Sequence, residues 1–230
     1  MAQKKMMRIY AEEGEYHRYL SPNDSYYPTY QAKMKLVHEY VQRVPKAWTV
    51  LDAGCGEGVL TEQLRKEGYN IVDLDLNYTS DIVVQGSITQ MPFPDKHFNL
   101  VFCLDTIEHL YYSDQEKALA EINRVLKPDS ILVISIPNLA HLLCHLYFLF
   151  TGKLARTSSI QEHPGDRPIA EYIDLLIKKG LCHCKEERVI SHIADFLLAY
   201  HPLSCQNTMA VSLHKLIRLS EFLLSEYIHL

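Results

Sequence analysis

The chain lacks most of what nucleic-acid-binding, disulfide-built or membrane-spanning proteins are made from. It has no long run of Lys or Arg, and 23 basic residues stand against 28 acidic ones, a net charge of −5. No nucleic-acid partner is expected from that balance. It has no Cys-x-x-Cys pair either. Cys55, Cys103, Cys144, Cys182, Cys184 and Cys205 are scattered and read as free thiols of a reducing compartment. Cys182-His183-Cys184 has the wrong spacing for zinc, with no second pair at zinc-like distance, so no metal site is expected. No apolar run follows Lys4, Lys5 and Arg8, which argues against a signal peptide. The most apolar stretch, Leu139 to Phe150, contains His141 and His145 and is too short to span a bilayer. Repeats and low-complexity segments are absent. These gaps together lead to the expectation of a soluble, cytoplasmic protein.

What is present suits one α/β domain: 230 residues, 47% hydrophobic and 22% charged. Residues 1–45 form an N-terminal cap, rich in tyrosine up to Tyr30 and followed by an amphipathic helix over Gln31–Val44. Residues 46–138 alternate between strand-like and helix-like segments. Strands are expected at Trp48–Leu51, Asn70–Leu76, Asp81–Val84, Phe98–Leu104 and Ile131–Ile136. Helices are expected at Val59–Glu67, closed by Gly68, and from a capping box at Ser113-Asp114-Gln115-Glu116 to a stop before Pro128. Such alternation predicts parallel strands joined by right-handed crossovers, a Rossmann-like doubly wound sheet with helices on both faces. Residues 139–230 carry a different rhythm. There we expect helices over Leu139–Phe150 and Ala170–Lys179, a sixth strand over Leu181–Ile190 and a helical C-terminal extension over Val211–Tyr227. A weak seventh-strand signal lies at Thr208–Leu213.

The first strand ends on Asp52 and runs into Gly54-x-Gly56-x-Gly58 before a helix. Glycines there let a ligand approach the main chain, and the helix start offers free N–H groups. A plain tight turn would need fewer glycines. A dinucleotide fingerprint wants its third glycine where Val59 stands, and Glu57 would be a poor neighbour for a pyrophosphate.

Leu51-Asp52-Ala53-Gly54-Cys55-Gly56-Glu57-Gly58 resembles motif I of the class I S-adenosylmethionine-dependent methyltransferases. The similarity continues through Ile71–Leu76, Gly86-Ser87-Ile88, Met91-Pro92-Phe93-Pro94-Asp95, Phe98–Val101, Thr106-Ile107-Glu108-His109-Leu110, Glu121–Ser130 and Ile136-Pro137-Asn138. This resemblance implies S-adenosyl-L-methionine as cofactor, with Asp52, Gly54, Cys55, Gly56 and Gly58 forming the loop around it. Asp75, ending the second strand, is implied as the ribose ligand in preference to Asp73 on the same strand face. Leu76 and Ile88 would pack near the adenine, and Leu104 and Asp105 would flank the sulfonium and amino group. Three positions depart from the family pattern: Asn99 and Ser87 each replace an aspartate, and Asp129-Ser130 replace a Gly-Gly turn. Ser87 is a weaker acceptor for the adenine amino group than the carboxylate it replaces.

The expected activity is methyl transfer to a small-molecule acceptor: a metabolite, quinone-like ring, or lipid-linked or glycan intermediate. The alternative is a non-catalytic S-adenosylmethionine-binding partner or sensor. If the acceptor must lose a proton, His109 and His163 are the candidate bases. The apolar helices of residues 139–230 would suit a lipid-linked acceptor or a peripheral membrane contact, although packing over the sheet is the commoner fate of such helices.

Overall fold

The computed structural model describes residues 20–23, 27–78, 80–137, 139, 142–153, 161–189 and 195–202. Asn138, the Val211–Tyr227 helix, the Thr208–Leu213 strand signal and the tyrosines before Tyr27 lie outside the described residues. Along the chain run α1 (Tyr27–Gln42), β1 (Thr49–Ala53), α2 (Val59–Lys66), β2 (Asn70–Asp75), β3 (Val83–Gln85) and β4 (Phe98–Cys103). A 3-10 turn (Ile107–His109), α3 (Tyr112–Val125), β5 (Leu126–Pro137), α4 (Leu142–Thr151), α5 (Ile169–Lys178), β6 (Leu181–Val189) and β7 (Asp195–Pro202) follow. Among the described residues no helix is long and apolar enough to cross a membrane.

The strands form one sheet in the order β3-β2-β1-β4-β5-β7-β6. Strands β1 to β5 are mutually parallel, while β7 lies antiparallel between β5 and β6. Alternation along each strand splits the core in two. Leu51, Val101, Leu132 and Ile134 face Leu119 and Ile122 of α3 and Tyr172 and Leu176 of α5. Val50, Leu100, Phe102 and Val133 face Val37 and Val41 of α1 and Leu64 of α2. Each side chain fully buried in this way contributes about 1.5–3 kcal/mol. The doubly wound expectation therefore holds, with the seventh strand at β7 inserted by a hairpin.

The capping-box expectation fails. Helix α3 begins at Tyr112 with Tyr111 at the N-cap and no side-chain cap bond. The polar side chains of that first turn are drawn elsewhere: Asp114 to Lys117, Glu116 to Lys179 and Gln115 into the interior. Strand β5 also starts earlier than Ile131, because Leu126 pairs with Phe98 before the register shifts to Leu100 opposite Ile131. The irregularity is centred on Asp129, whose φ of 59° occupies the left-handed region a glycine would take more easily. Asn99 is accounted for too. Its side-chain carbonyl accepts from the Thr49 amide (3.2 Å) and the Lys127 ammonium (2.8 Å).

Two sequence blocks far apart in the chain are joined by one cluster. Arg124 donates to both Glu121 oxygens (2.7 and 2.8 Å), to Asp95 (2.7 Å) and to the carbonyls of Phe93 (2.8 Å) and Met91 (3.1 Å). Glu121 in turn accepts from the Met91 amide (2.7 Å). The hydrogen bonds from Arg124 hold the Glu121 carboxyl below its ordinary value, against a smaller opposing effect of burial. The folded state therefore binds that proton less readily than the unfolded chain. The stabilisation is fully present above the unfolded carboxylate value and is lost as pH falls through the depressed folded value. Glu121→Gln should be about 1–3 kcal/mol less stable than the parent at neutral pH. Urea denaturation followed from about pH 6 to about pH 3 should show that gap closing as the acid is titrated. A constant gap would show that the carboxylate charge is not what stabilises the cluster.

Candidate active site

In a doubly wound sheet the crevice opens at the carboxyl ends of the strands where chain order reverses. Here that point lies between β1 and β4. The loop leaving β1 has Gly54, Gly56 and Gly58 at φ of 89°, 54° and 68°. Gly54 has a further reason to be glycine: a Cβ there would lie 2.3 Å from Thr106 Oγ1, on the segment leaving β4. Most loop amides are spent internally. Gly54 and Cys55 donate to the Leu74 carbonyl (2.8 and 3.2 Å), Gly58 to the Cys55 carbonyl (3.0 Å), and Gly56 to Asp75 (2.9 Å). A Cβ on Gly56, by contrast, would meet nothing within 4 Å. The loop thus offers an open, side-chain-free cradle more than a set of donors. Cys55 is no nucleophile in this setting, since burial, reinforced by Asp52, Asp73 and Asp75, pushes its thiol far up.

Four aspartates gather near this edge, each held differently. Asp73 is fully buried and bound to Arg65 (2.8 Å) and Thr61 (2.9 Å), so it fastens α2 to β2 and does not face a ligand. Burial raises its pKa despite those partners. Asp52 is buried at 4% exposure, and desolvation, then Asp73 and Asp75, pushes its carboxyl well above the usual range. Asp75 stands at the end of β2. Its Oδ1 accepts from the Asn77 and Tyr78 amides (2.8 and 3.0 Å) while Oδ2 accepts from Gly56. Of about four lone-pair positions on a carboxylate, one is left for a ligand.

Asp105, at a φ of 48°, follows β4. Its amide donates to Ser135 Oγ (2.8 Å), and that hydroxyl donates back to its carboxylate (2.6 Å). Asp105 also forms an ion pair with Lys33 of α1, which is buried. Lys33 and the nearby Tyr30, whose hydroxyl is pushed up by burial, were not among the site residues expected from sequence. The available signal was a lysine on the same helical stripe as Val37, Val41 and Val44.

The remaining predicted residues differ in their surroundings. Leu76 is exposed and Ile88 is buried. Leu104 packs against the core cluster beneath α1. The Ser87 hydroxyl is drawn into its own turn, bonding Thr89 Oγ1 (2.8 Å) and the Thr89 amide (3.2 Å).

His109 and His163, distant in sequence, come together with ring centroids 4.6 Å apart at 87°. Loop 161–168 is clamped onto the 3-10 turn. Gly165 donates to the Glu108 carbonyl (3.0 Å), and His109 Nδ1 lies 2.8 Å from the Glu162 carbonyl. Buried Gln115 donates to the carbonyls of Gly165 (2.7 Å) and Ile107 (3.0 Å), and Tyr172 adds a second donor to Gly165 (2.9 Å). Arg167 closes the clamp by donating to Gln115 (2.7 Å) and lying over the Tyr112 ring at 3.9 Å. Burial, helped by His163, lowers the His109 pKa.

Comparison with known proteins agrees with this geometry. The family model described as Methyltransferase domain matches residues 51–134. A probable S-adenosylmethionine-dependent methyltransferase of Mycolicibacterium smegmatis is 30% identical over 99 residues, covering 39% of this chain and 38% of the relative. The malonyl-[acyl-carrier protein] O-methyltransferase of Serratia marcescens is 30% identical over 155 residues, covering 63% of this chain and 55% of the relative. The chain therefore spans less than two thirds of the curated relatives it matches. Among solved structures, a Burkholderia thailandensis 1,6-didemethyltoxoflavin-N1-methyltransferase, with bound 1,6-didemethyltoxoflavin and S-adenosylhomocysteine, aligns at a TM-score of 0.63 and 14% identity. That alignment covers 86% of this chain and 88% of the other. The fold is that of the Rossmann-like methyltransferases. Residues 51–134, which hold the glycine loop and strands β2 to β4, are the part of the chain that is similar to the methyltransferase-domain family.

The Lys33–Asp105 pair ties α1 to the β4 edge. Removing a buried partner usually costs about 3–5 kcal/mol, because the other charge is stranded. Asp105 keeps 27% exposure, and solvent screens part of that loss. Lys33→Met should therefore destabilise by about 1–3 kcal/mol in urea denaturation. A change within experimental error would mean that the pair adds nothing to the folded state.

Proposed function

We propose that the protein transfers a methyl group from S-adenosyl-L-methionine to a small-molecule acceptor. The observation that carries the reading is the open cradle at Gly56, bordered by Asp75 on β2 and by Asp105 after β4. The residues fit the cofactor. Gly54 and Gly56 leave room for it, the remaining lone-pair position of Asp75 takes a ribose hydroxyl, and Asp105 offers a counter-charge to its cationic end. Leu76 and Ile88 border the adenine, where Ser87 contributes little because its hydroxyl is engaged in its own turn. When bound, the cofactor supplies a methyl group already activated on a sulfonium. The work left to this chain is to hold an acceptor in line and, for an acceptor that must lose a proton, to help remove it.

On this reading the acceptor is met by side chains of loop 161–168 and of α4. Exposed Leu146, Tyr147, Phe148, Leu149 and Phe150 crowd the second half of α4, and Leu149 and Phe150 are 72% and 81% exposed. That apolar face supports a hydrophobic, lipid-linked or carrier-linked acceptor. The relative named for a carrier-bound malonyl group and the structural neighbour named for a heteroaromatic substrate are compatible with this class.

Calorimetry with S-adenosylmethionine and S-adenosylhomocysteine tests the cofactor assignment, and one site per chain is expected. Asp75→Ala should weaken binding about 10-fold or more, the loss of one charge-assisted hydrogen bond. Absence of binding in the parent would remove the functional reading, whereas unchanged affinity in Asp75→Ala would remove only the ribose assignment. Transfer of a tritiated methyl group to extract fractions, separated by solubility, should label the organic-soluble or carrier-linked fraction.

A further inference from the structure

Beside the cradle, Glu108, His109 and His163 each present a donor atom, and these atoms all lie within 4.8 Å of one another. We propose that the three residues bind a divalent transition cation of the zinc type. The donors come from two separate segments, the 3-10 turn after β4 and loop 161–168, and the clamp holds those segments in register. Gly165 is central to that clamp, because a Cβ on it would lie 2.0 Å from the Leu110 carbonyl and 2.2 Å from Gln115 Nε2. The two segments that carry the donors are thereby held together before any ion arrives.

The surroundings resemble the outer shell of a metal centre. His109 Nδ1 faces the Glu162 carbonyl at 2.8 Å, and His163 Nδ1 faces the carboxylate of Asp166 at 3.5 Å, with the Asp166 side chain fully buried. Oxygens behind ligating imidazoles fix the tautomer and ring orientation and raise the basicity of the ligating nitrogen. Among the three donors, Glu108 is buried at 2% exposure.

Two nitrogens and one carboxylate oxygen suit zinc and its neighbours, whereas magnesium and calcium favour all-oxygen shells. Metal–ligand bonds of about 2.0–2.1 Å in a tetrahedron need donors about 3.3 Å apart. The donors must therefore close by up to about 1.5 Å from their 4.8 Å limit, within reach of side-chain rotation. Three protein donors leave the fourth position open. This role rests on the small-molecule methyl-transfer reading: an acceptor hydroxyl in that position would release its proton to water more readily. The resulting oxyanion then attacks the methyl carbon as the sulfonium carbon–sulfur bond breaks.

Titration calorimetry of chelator-treated full-length protein with Zn²⁺, paired with Co²⁺ absorption spectra, tests the site. A Cys182→Ser/Cys184→Ser background removes the competing thiol pair. One zinc per chain is expected, with affinity about 10–100-fold weaker in Asp166→Asn and lost in His163→Ala and Glu108→Gln. His163→Ala, altered on the loop, carries the test if the buried Glu108→Gln fails to fold. S-adenosylhomocysteine affinity should stay within about twofold in His163→Ala. Absence of stoichiometric zinc binding, or equal affinity in His163→Ala, overturns the site. Zinc binding lost in His163→Ala alongside failure of S-adenosylhomocysteine binding in every variant, parent included, would support the metal site and remove the cofactor reading.

Discussion

The approach of Gly54 to Thr106 sets the geometry on which the rest of the site depends. A Cβ at Gly54 would sit 2.3 Å from the threonine hydroxyl, so only bare backbone lets the segments leaving β1 and β4 lie this close. This close approach fixes where Asp105 emerges and where the 3-10 turn begins. The same loop is tied on its other side to β2 through the Leu74 carbonyl and Asp75. Three strand ends are thereby locked to one short loop, and the open space above Gly56 is what remains at their junction.

The electrostatics of that junction favour a cationic ligand. Asp52, Asp73, Asp75 and Asp105 lie at or near the carboxyl ends of β1, β2 and β4. Asp73 has Arg65, Asp105 has Lys33, and Asp75 is stabilised by three backbone amides. Burial, then Asp73 and Asp75, outweigh the opposing charge of Arg65 at Asp52, and its carboxyl is driven toward the neutral form. Of the four, Asp75 is the carboxylate whose charge is met by amide dipoles and not by a cation, and a pyrophosphate beside it would be repelled where a sulfonium or ammonium would not. The argument made from Glu57 in the sequence is thus reinforced by Asp75 at the end of β2.

The parallel sheet was legible because each strand is a short apolar run bounded by turn residues, and the glycine spacing marked the ligand loop directly. The misjudged features were those that depend on tertiary partners. Ser113–Glu116 has the composition of a capping box, yet its side chains find better partners in Lys117, Lys179 and Gly165. Asp75 was preferred over Asp73 from its place at the strand end, but the partners that hold Asp73, Thr61 and Arg65, were not legible in the sequence. Lys33 was hidden on an apolar stripe, because sequence pattern does not reveal that Asp105 awaits it across the chain. His109 and His163 were each legible as candidates; their meeting depended on a loop closure that spacing cannot show.

That closure also divides what can vary from what cannot. Loop 161–168 is held mainly through main-chain atoms: the Glu108, Glu162 and Gly165 carbonyls, the Gly165 amide, and the Asp166 carbonyl that accepts from Tyr112 at 3.1 Å. The side chains that serve those atoms, Gln115 and Tyr172, are buried at 0% exposure and belong to helices of the sheet scaffold. Side chains at the loop surface can therefore change without undoing the clamp, whereas a change at Gln115 would release several carbonyls at once. The junction built from β1, β2 and β4 is in this way held by contacts separate from those that hold loop 161–168 on the 3-10 turn. Side chains at the surface of that loop can then vary while the Gly54–Thr106 junction stays as it is.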